Sequence, residues 1–350
     1  MKVNKIEYIE LYVANPLKTA VFYKSCFGFD ILSYASPGKG LKDNISYILR
    51  CNDANLVISS SPDPNSEISS EIFKHDDFVK DVAFSVKNVE EIFQKSISNG
   101  ALEVLKPTTI TDGKNKIIKA TVCIFGNVNH SFIEKISGED LLPFYSSLSI
   151  KNDEISNLSD IDHVAIAVKQ NEMENLASFY QNIFCFHILY KEDIDFGSNG
   201  MRSVVVANES ENIKLTILEP ISKTQVSQIE KFIKNNNSKS GVQHIAFRTS
   251  NIIESVKRIK NNAINTLNVP LEYYESINTS IKKSLGESFY LSAKQLGILL
   301  DDDEDGQLLQ VFTMPLQNRQ TFFVEIIERR NSKSFGSKNI QALYKAVQGL

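Results

Sequence analysis

The sequence has little cysteine, no long apolar run and almost no net charge, and each shortage removes a class of protein. Four cysteines in 350 residues, Cys26, Cys51, Cys123 and Cys185, with no Cys-x-x-Cys spacing, exclude a zinc knuckle and a disulfide framework. They are expected to be reduced core residues. No apolar stretch approaches the roughly 20 residues that span a bilayer. The opening Met1-Lys2-Val3-Asn4-Lys5-Ile6-Glu7 carries charge where a signal peptide would be apolar. A cytoplasmic protein without membrane contact is therefore expected. A formal charge of -4 supplies no field to attract nucleic acid, so a small molecule is the expected partner. The acidic run Asp301-Asp302-Asp303-Glu304-Asp305-Gly306 begins like a calcium loop, but its twelfth position is Phe312, where a bidentate Glu is needed. It is expected to be a solvated turn.

What is present is ample core material, 42% hydrophobic residues, in a chain long enough for two domains. Ile6-Glu7-Tyr8-Ile9-Glu10-Leu11-Tyr12-Val13 alternates as a strand. Asn15-Pro16 then opens a helix that closes at Phe27-Gly28-Phe29, before a second strand at Ile31-Leu32-Ser33-Tyr34. The same order recurs from Ile161-Asp162-His163-Val164-Ala165-Ile166-Ala167-Val168, through a helix containing Phe179-Tyr180, to Phe184-Cys185-Phe186. Val79 to Val86 with the helical residues 88–100 is matched by Val242 to Thr249 with residues 251–262. Four related β-α modules in two long copies fit paired modules curling strands around a pocket. Residues 138–159, rich in Ser, Asn, Asp and Glu, read as a linker with one apolar patch, Leu141-Leu142-Pro143-Phe144-Tyr145, expected to dock. The domains are thus expected at 1–137 and 160–350, the second carrying extra length around Tyr273-Tyr274 and ending in a helix over about 338–347.

Ligand-capable residues break the symmetry of the copies. In Gly241-Val242-Gln243-His244-Ile245-Ala246-Phe247, alternation sends His244, Ala246 and Arg248 to one face and Gln243, Ile245 and Phe247 to the other. His163 holds a matching place on the first strand of that half. Glu325 is a carboxylate inside the apolar run Phe322-Phe323-Val324-Glu325-Ile326-Ile327, where an ionised side chain costs several kcal/mol unless paired or bound to metal. Two imidazoles and one carboxylate are the donor set of a non-haem Fe(II) facial triad. The equivalent positions of the first half are Tyr8, Asp81 and Ser131, a poor iron site, so the framework alone does not explain His163, His244 and Glu325. His75, His130 and His187 lack this pattern and read as surface or packing residues.

The motifs Ile161-Asp162-His163, Gly241 to Phe247, Leu308-Leu309-Gln310-Val311-Phe312 and Phe322 to Arg329, with the ending from Ser334-Phe335-Gly336 to Asn339-Ile340, resemble the 4-hydroxyphenylpyruvate dioxygenase family along nearly the whole chain. The resemblance implies an α+β fold of two vicinal oxygen chelate domains. Each consists of paired βαβββ modules forming an open barrel around a pocket, and a C-terminal helix lies beside the second. It also implies an Fe(II) enzyme holding iron through His163, His244 and Glu325, with a 2-oxo acid and O2 as small-molecule partners; a homo-oligomer is left open. Two activities share this scaffold, giving homogentisate or 4-hydroxymandelate from 4-hydroxyphenylpyruvate with loss of CO2. Thr216-Ile217-Leu218-Glu219-Pro220 is similar to the Thr-x-Ile-Glu-Pro of the hydroxymandelate-forming branch, where the homogentisate branch has Pro-x-Asn-Glu-Pro. Asn339-Ile340 again follows the former, against Asn-Phe in the latter. By resemblance, Ser203, Gln228 and Gln310 are polar partners of the substrate or of metal-bound oxygens, Phe312 and Phe335 wall the substrate ring, and Thr216, Leu218 and Ile340 tune its pose.

Overall fold

The computed structural model describes residues 2–38, 43–152, 156–336 and 339–340. Two curled sheets of mixed strand direction share one strand plan. The first runs Leu102–Thr111, Lys116–Phe125, Val128–Ser137, Phe78–Val86, Val3–Tyr12, Ala54–Ser60, Ile45–Cys51, Asp30–Ala35 and Ser146–Ile150. In the same direction the second runs Leu299–Asp302, Gln307–Phe312, Phe323–Arg330, Gly241–Thr249, Leu158–Ala167, Lys214–Ile221, Gly200–Ala207 and His187–Asp195. Both are antiparallel at the centre, with a parallel pair on either side. Ser146–Ile150 has no counterpart in the second sheet. It comes from the segment read as linker, which therefore contributes an edge strand beside Asp30–Ala35.

Local chemistry sets the helix ends. Asn15 accepts a hydrogen bond from the Lys18 amide at 3.0 Å and Pro16 supplies the first helical residue of Pro16–Phe27. Gly28 ends that helix at φ 81°, a left-handed conformation that disfavours a side chain, and an added Cβ would stand 2.7 Å from Ser156. Asn88 and Asn251 cap the helices Val89–Ser98 and Ile252–Asn261 in the same way. A second device is repeated: Glu134 accepts from the Val89 amide at 3.1 Å and Glu328 from the Ile252 amide at 2.8 Å, each acid tying a helix start to the closing strand of its half. Cys26 and Cys51 are buried as expected, but Cys185 is exposed. It occupies the left-handed cap of Met173–Phe184 at φ 58°, where the counterpart in the first half is Gly28.

The extra length of the second half folds as the helices Leu271–Ser276, Thr279–Leu285 and Glu287–Leu296. The acidic run is more than a solvated turn: Asp303 accepts from the amides of Lys333 and Ser334, both at 2.8 Å, and from the Ser332 hydroxyl, pinning the chain just before Phe335. Residues 339 and 340 are helical, and the rest of the helix expected over 338–347 lies outside the described residues. Among the described residues no helix is long and apolar enough to cross a membrane.

The halves join through apolar rings and two buried histidines, His75, whose Nδ1 lies 2.9 Å from the Asn236 side-chain oxygen, and His130. Phe29 meets Phe247 and Phe84 meets Phe184, with centroids 5.5 and 5.3 Å apart. His130 Nδ1 donates to the Val82 carbonyl and Nε2 accepts from the Tyr180 hydroxyl at 2.8 Å, bridging the two halves. Burial pushes this imidazole down to about 4 from 6.5. The unfolded chain therefore binds the proton first as pH falls, and about 3 kcal/mol of stability present above pH 6.5 is lost by about pH 4. Urea denaturation at neutral and acidic pH checks this against His130→Gln, which keeps a donor and an acceptor without titrating. Equal pH dependence in both proteins would exclude His130 as its source.

Candidate metal centre and its cavity

Three strands deliver the expected ligand atoms. His163 sits on Leu158–Ala167, His244 on Gly241–Thr249 and Glu325 on Phe323–Arg330, three neighbours in the sheet. His163 Nε2 lies 3.3 Å from Glu325 Oε2 and 3.4 Å from His244 Nε2, and His244 Nε2 lies 3.4 Å from the same carboxylate oxygen. All three residues are buried, Glu325 with 1% of its surface exposed. Among the described residues they form a group able to hold a metal ion. The strand register also verifies the comparison of copies: Tyr8 pairs with Ala83 as His163 pairs with Ala246, and Asp81 and Ser131 precede the paired Phe84 and Phe132 as His244 and Glu325 precede Phe247 and Ile326.

The surroundings aim these atoms. His163 Nδ1 donates to Asp162 at 3.0 Å, and His244 Nδ1 faces the Gln243 side-chain Oε1 at 3.4 Å. Each Nε2 is therefore left as an electron-pair donor turned toward the carboxylate. Three such donors at this spacing repel one another unless a cation lies between them, so the residues fit a metal ion. Without one, a proton takes that role. Burial alone would lower the His163 imidazole, but the Glu325 and Asp162 carboxylates raise it overall. Burial keeps His244 low despite Glu325. Burial would raise Glu325, and the two histidines hold it at about 2 instead.

Asp162 is the outer anchor. It stands at a register irregularity between Ile161 and His163 and accepts from Arg248 at 2.9 Å and from Arg329 at 2.9 and 3.0 Å. Burial opposes its charge, yet Arg329 and His163 hold its carboxyl well below the usual range. Arg329 in turn lies 4.9 Å over the Phe335 ring and donates to the Ser334 carbonyl. Asp162→Asn is expected to weaken metal affinity by about 10- to 100-fold, the usual cost of losing an outer partner of a ligating histidine. Titration with a divalent ion followed by calorimetry reads this; unchanged affinity would make Asp162 a purely structural residue.

One cavity gathers the other expected residues: Ser203, Thr216, Leu218, Gln228, Gln310, Phe312, Phe335 and Ile340 all line it with the triad. Gln310 is committed to neighbours, donating to Glu325 at 2.9 Å and accepting from Asn339 at 2.7 Å, and Asn339 accepts from the Tyr273 hydroxyl. Its amide thus orients the carboxylate. The Thr216 hydroxyl is buried with no hydrogen-bond partner among the described residues, a polar group left for a ligand. Glu219, in the same motif, turns away to accept from the Met173 amide and from Arg202, each at 3.0 Å.

Six further lining residues escaped the sequence reading: Tyr190, Glu192, Met201, Ile229, Gln243 and Phe323. Glu192 lies directly across the strand pair from Ser203, so the hairpin register would have found it. Strand alternation alone places Gln243 on the opposite face from His244. A bulge lies there, since Ala165 pairs with His244 but Ile166 with Val242, and the extra residue breaks the alternation.

Comparisons place this geometry. The model of the Glyoxalase/Bleomycin resistance protein/Dioxygenase superfamily matches residues 5–125 and 160–310. A 4-hydroxyphenylpyruvate dioxygenase of Yarrowia lipolytica is 33% identical, the alignment covering 98% of this chain and 91% of that protein. One of Xenopus tropicalis is 34% identical, covering 97% and 90%. Among solved structures, a triple mutant of 4-hydroxymandelate synthase from Streptomyces coelicolor superposes with a TM-score of 0.89 at 29% identity, covering 100% of this chain and 99% of that one. With a shared strand plan, a match along nearly its full length and a buried His-His-Glu cluster in one copy, the chain belongs to the 4-hydroxyphenylpyruvate dioxygenase family of this superfamily.

Proposed function

We propose that the protein is a non-haem Fe(II) dioxygenase that converts 4-hydroxyphenylpyruvate and O2 to 4-hydroxymandelate and CO2. The observation that carries the reading is the triangle of His163, His244 and Glu325 opening into a cavity whose pose-setting positions, Leu218 and Ile340, are aliphatic. The three side chains would hold the iron, which when bound supplies a chelation point for the 2-oxo acid and the redox chemistry that activates O2. Asp162 and Gln243 hold the imidazole protons on Nδ1 so that Nε2 stays free, and Gln310 fixes the Glu325 carboxylate. Phe312 and Phe335 wall the aromatic ring and exclude water. Ser203, Gln228 and the unpartnered Thr216 hydroxyl offer polar contacts to its substituents.

The cavity is narrow, about 50 Å³, so an aryl 2-oxo acid requires its walls to part. Phe335 and Ile340 lie outside the sheet strands, so these two walls can shift without breaking a strand ladder. The product reflects ring pose. An aliphatic Leu218 removes a polar anchor, and Ile340 leaves more room beside the ring than Phe would, favouring attack on the benzylic carbon over the ring. A second reading, homogentisate formation, is favoured by the names of the similar Yarrowia and Xenopus proteins. Chromatography of the products from Fe(II)-loaded protein, keto acid and oxygen separates the two. Mainly 4-hydroxymandelate is expected; mainly homogentisate overturns the product assignment, and no keto-acid-dependent oxygen uptake overturns the activity.

A further inference from the structure

The first half retains a cavity where the second has its metal centre. The register places Tyr8, Asp81 and Ser131 at the positions of His163, His244 and Glu325, and it equally places Ser46 at Ser203, Ser59 at Leu218 and Lys119 at Gln310. The ligands are gone, and the Asp81 carboxylate is bonded to the Ser131 amide and hydroxyl. The space is not. A cavity of about 240 Å³ remains, close to the lower end of the roughly 300–1,000 Å³ usual for small-molecule sites.

Its lining has gained charge of both signs. Glu10 stands where the other copy has Ala165, and Lys119 where it has Gln310. A redundant pocket is stabilised by filling it with apolar side chains, whereas charges facing an interior cost free energy unless something pairs with them. Lys119 attracts both the Glu10 and the Asp81 carboxylates across the cavity, but among the described residues it forms no direct ion pair with Glu10. Lys119 Nζ donates one hydrogen bond to the Tyr8 hydroxyl at 3.0 Å, and Glu10 Oε1 accepts one from Ser59 at 2.6 Å. Two ammonium protons and the second carboxylate oxygen remain for a ligand. They approach from strands separated in the sheet by two others.

The connector closes this space. Leu141 is buried against Tyr8 and Ile48, while Leu142 and Tyr145 line the cavity. Tyr145 donates to Ser46 at 2.9 Å, Ser46 lies 2.9 Å from Ser59, and Ser59 reaches Glu10, one hydrogen-bonded row from the cover to the acid. Tyr8, Tyr12 and Tyr145 add aromatic walls.

We propose that this N-terminal cavity is a second small-molecule site, taking an α-amino acid with an aromatic side chain: its carboxylate on Lys119, its ammonium on Glu10 and its ring among the tyrosines. The site differs in kind from the catalytic cavity, which has no lysine in its lining. The test is calorimetric titration of the full-length protein with L-phenylalanine and L-tyrosine, beside phenylacetate, which lacks the amine, and phenethylamine, which lacks the carboxylate. Binding of the amino acids is expected, weakened at least about tenfold in Lys119→Met and in Glu10→Gln, as for loss of one partner of a buried charge pair, and unchanged in Glu325→Gln. Thermal unfolding without ligand verifies that each variant is folded. If either variant is not, density for L-phenylalanine in a soaked crystal of the unsubstituted protein locates the ligand directly. Amino acids that fail to bind, phenylacetate or phenethylamine binding as tightly, affinity unchanged in both cavity variants, loss of binding in Glu325→Gln, or density elsewhere would each overturn the proposal.

Discussion

Glu325→Gln is expected to lose iron and turnover together, with metal affinity lower by at least a hundredfold, beyond the roughly 10–100-fold of an outer partner. The substitution keeps the volume of the side chain on a strand buried from both faces, so packing is preserved. What it removes is the carboxylate charge that lies 3.3 and 3.4 Å from the Nε2 atoms of His163 and His244, while Asp162 stays at His163 Nδ1. Without that charge the raised His163 returns toward its ordinary value, and both imidazoles can stay neutral in the metal-free protein. The variant should therefore melt near the parent temperature when both are stripped of metal. Iron per protein after desalting, oxygen uptake and the melting temperature distinguish a lost ligand from a lost fold. Retained iron with full turnover would remove the triad. In the parent protein, metal has to displace the His163 proton, so affinity should climb as pH rises toward and through that raised pKa. Affinity independent of pH there would mean that no proton is held between the three residues.

Combining Leu218→Asn with Ile340→Phe should raise the ratio of homogentisate to 4-hydroxymandelate by more than about tenfold, a difference of about 1.4 kcal/mol between two competing barriers. Leu218 lies on Lys214–Ile221, two residues from the unpartnered Thr216 hydroxyl and directly opposite Ser203. An amide there adds an anchor on the face that carries the other polar contacts. Ile340 lines the same cavity and packs in the same cluster as Leu218, so a phenyl ring there takes up volume beside the substrate ring. The two changes act on one quantity, the position of the substrate ring, and a displacement of about 1 Å at a reacting centre is worth on the order of a hundredfold in rate. Product ratios by chromatography, with keto-acid affinity measured separately, check the prediction. A parent-like ratio in a double variant that still binds substrate would show that these residues do not set the pose.

His163, His244 and Glu325 are legible in the sequence because the chain carries its own control: Tyr8, Asp81 and Ser131 occupy the same register without the chemistry. Glu325 was also conspicuous as a lone acid among apolar residues. The pocket's other polar contributors were harder to see. Glu192 is found only through its pairing with Ser203, and Gln243 only once the bulge beside His244 is known. Asp162 stands in the motif itself, but its role depends on Arg329, 167 positions away. The linker composition of 138–159 concealed an edge strand, because Ser146–Ile150 has all its side chains exposed and its Leu148, Ile150 alternation spans only two apolar residues among serines.

The sequence by itself determined the strand positions, the helix ends at Asn15, Gly28, Asn88 and Asn251, and the three residues able to hold a metal. Each of these depends on side chains two to four positions apart, or on the comparison of one copy with the other. Only the tertiary structure decided that three distant side chains meet within 3.4 Å, that Gln310 is bound to Glu325 and not free, and that the first half keeps a charged cavity. These follow from pairing and curling of strands far apart in the chain, where a shift of one residue sends a side chain to the other face.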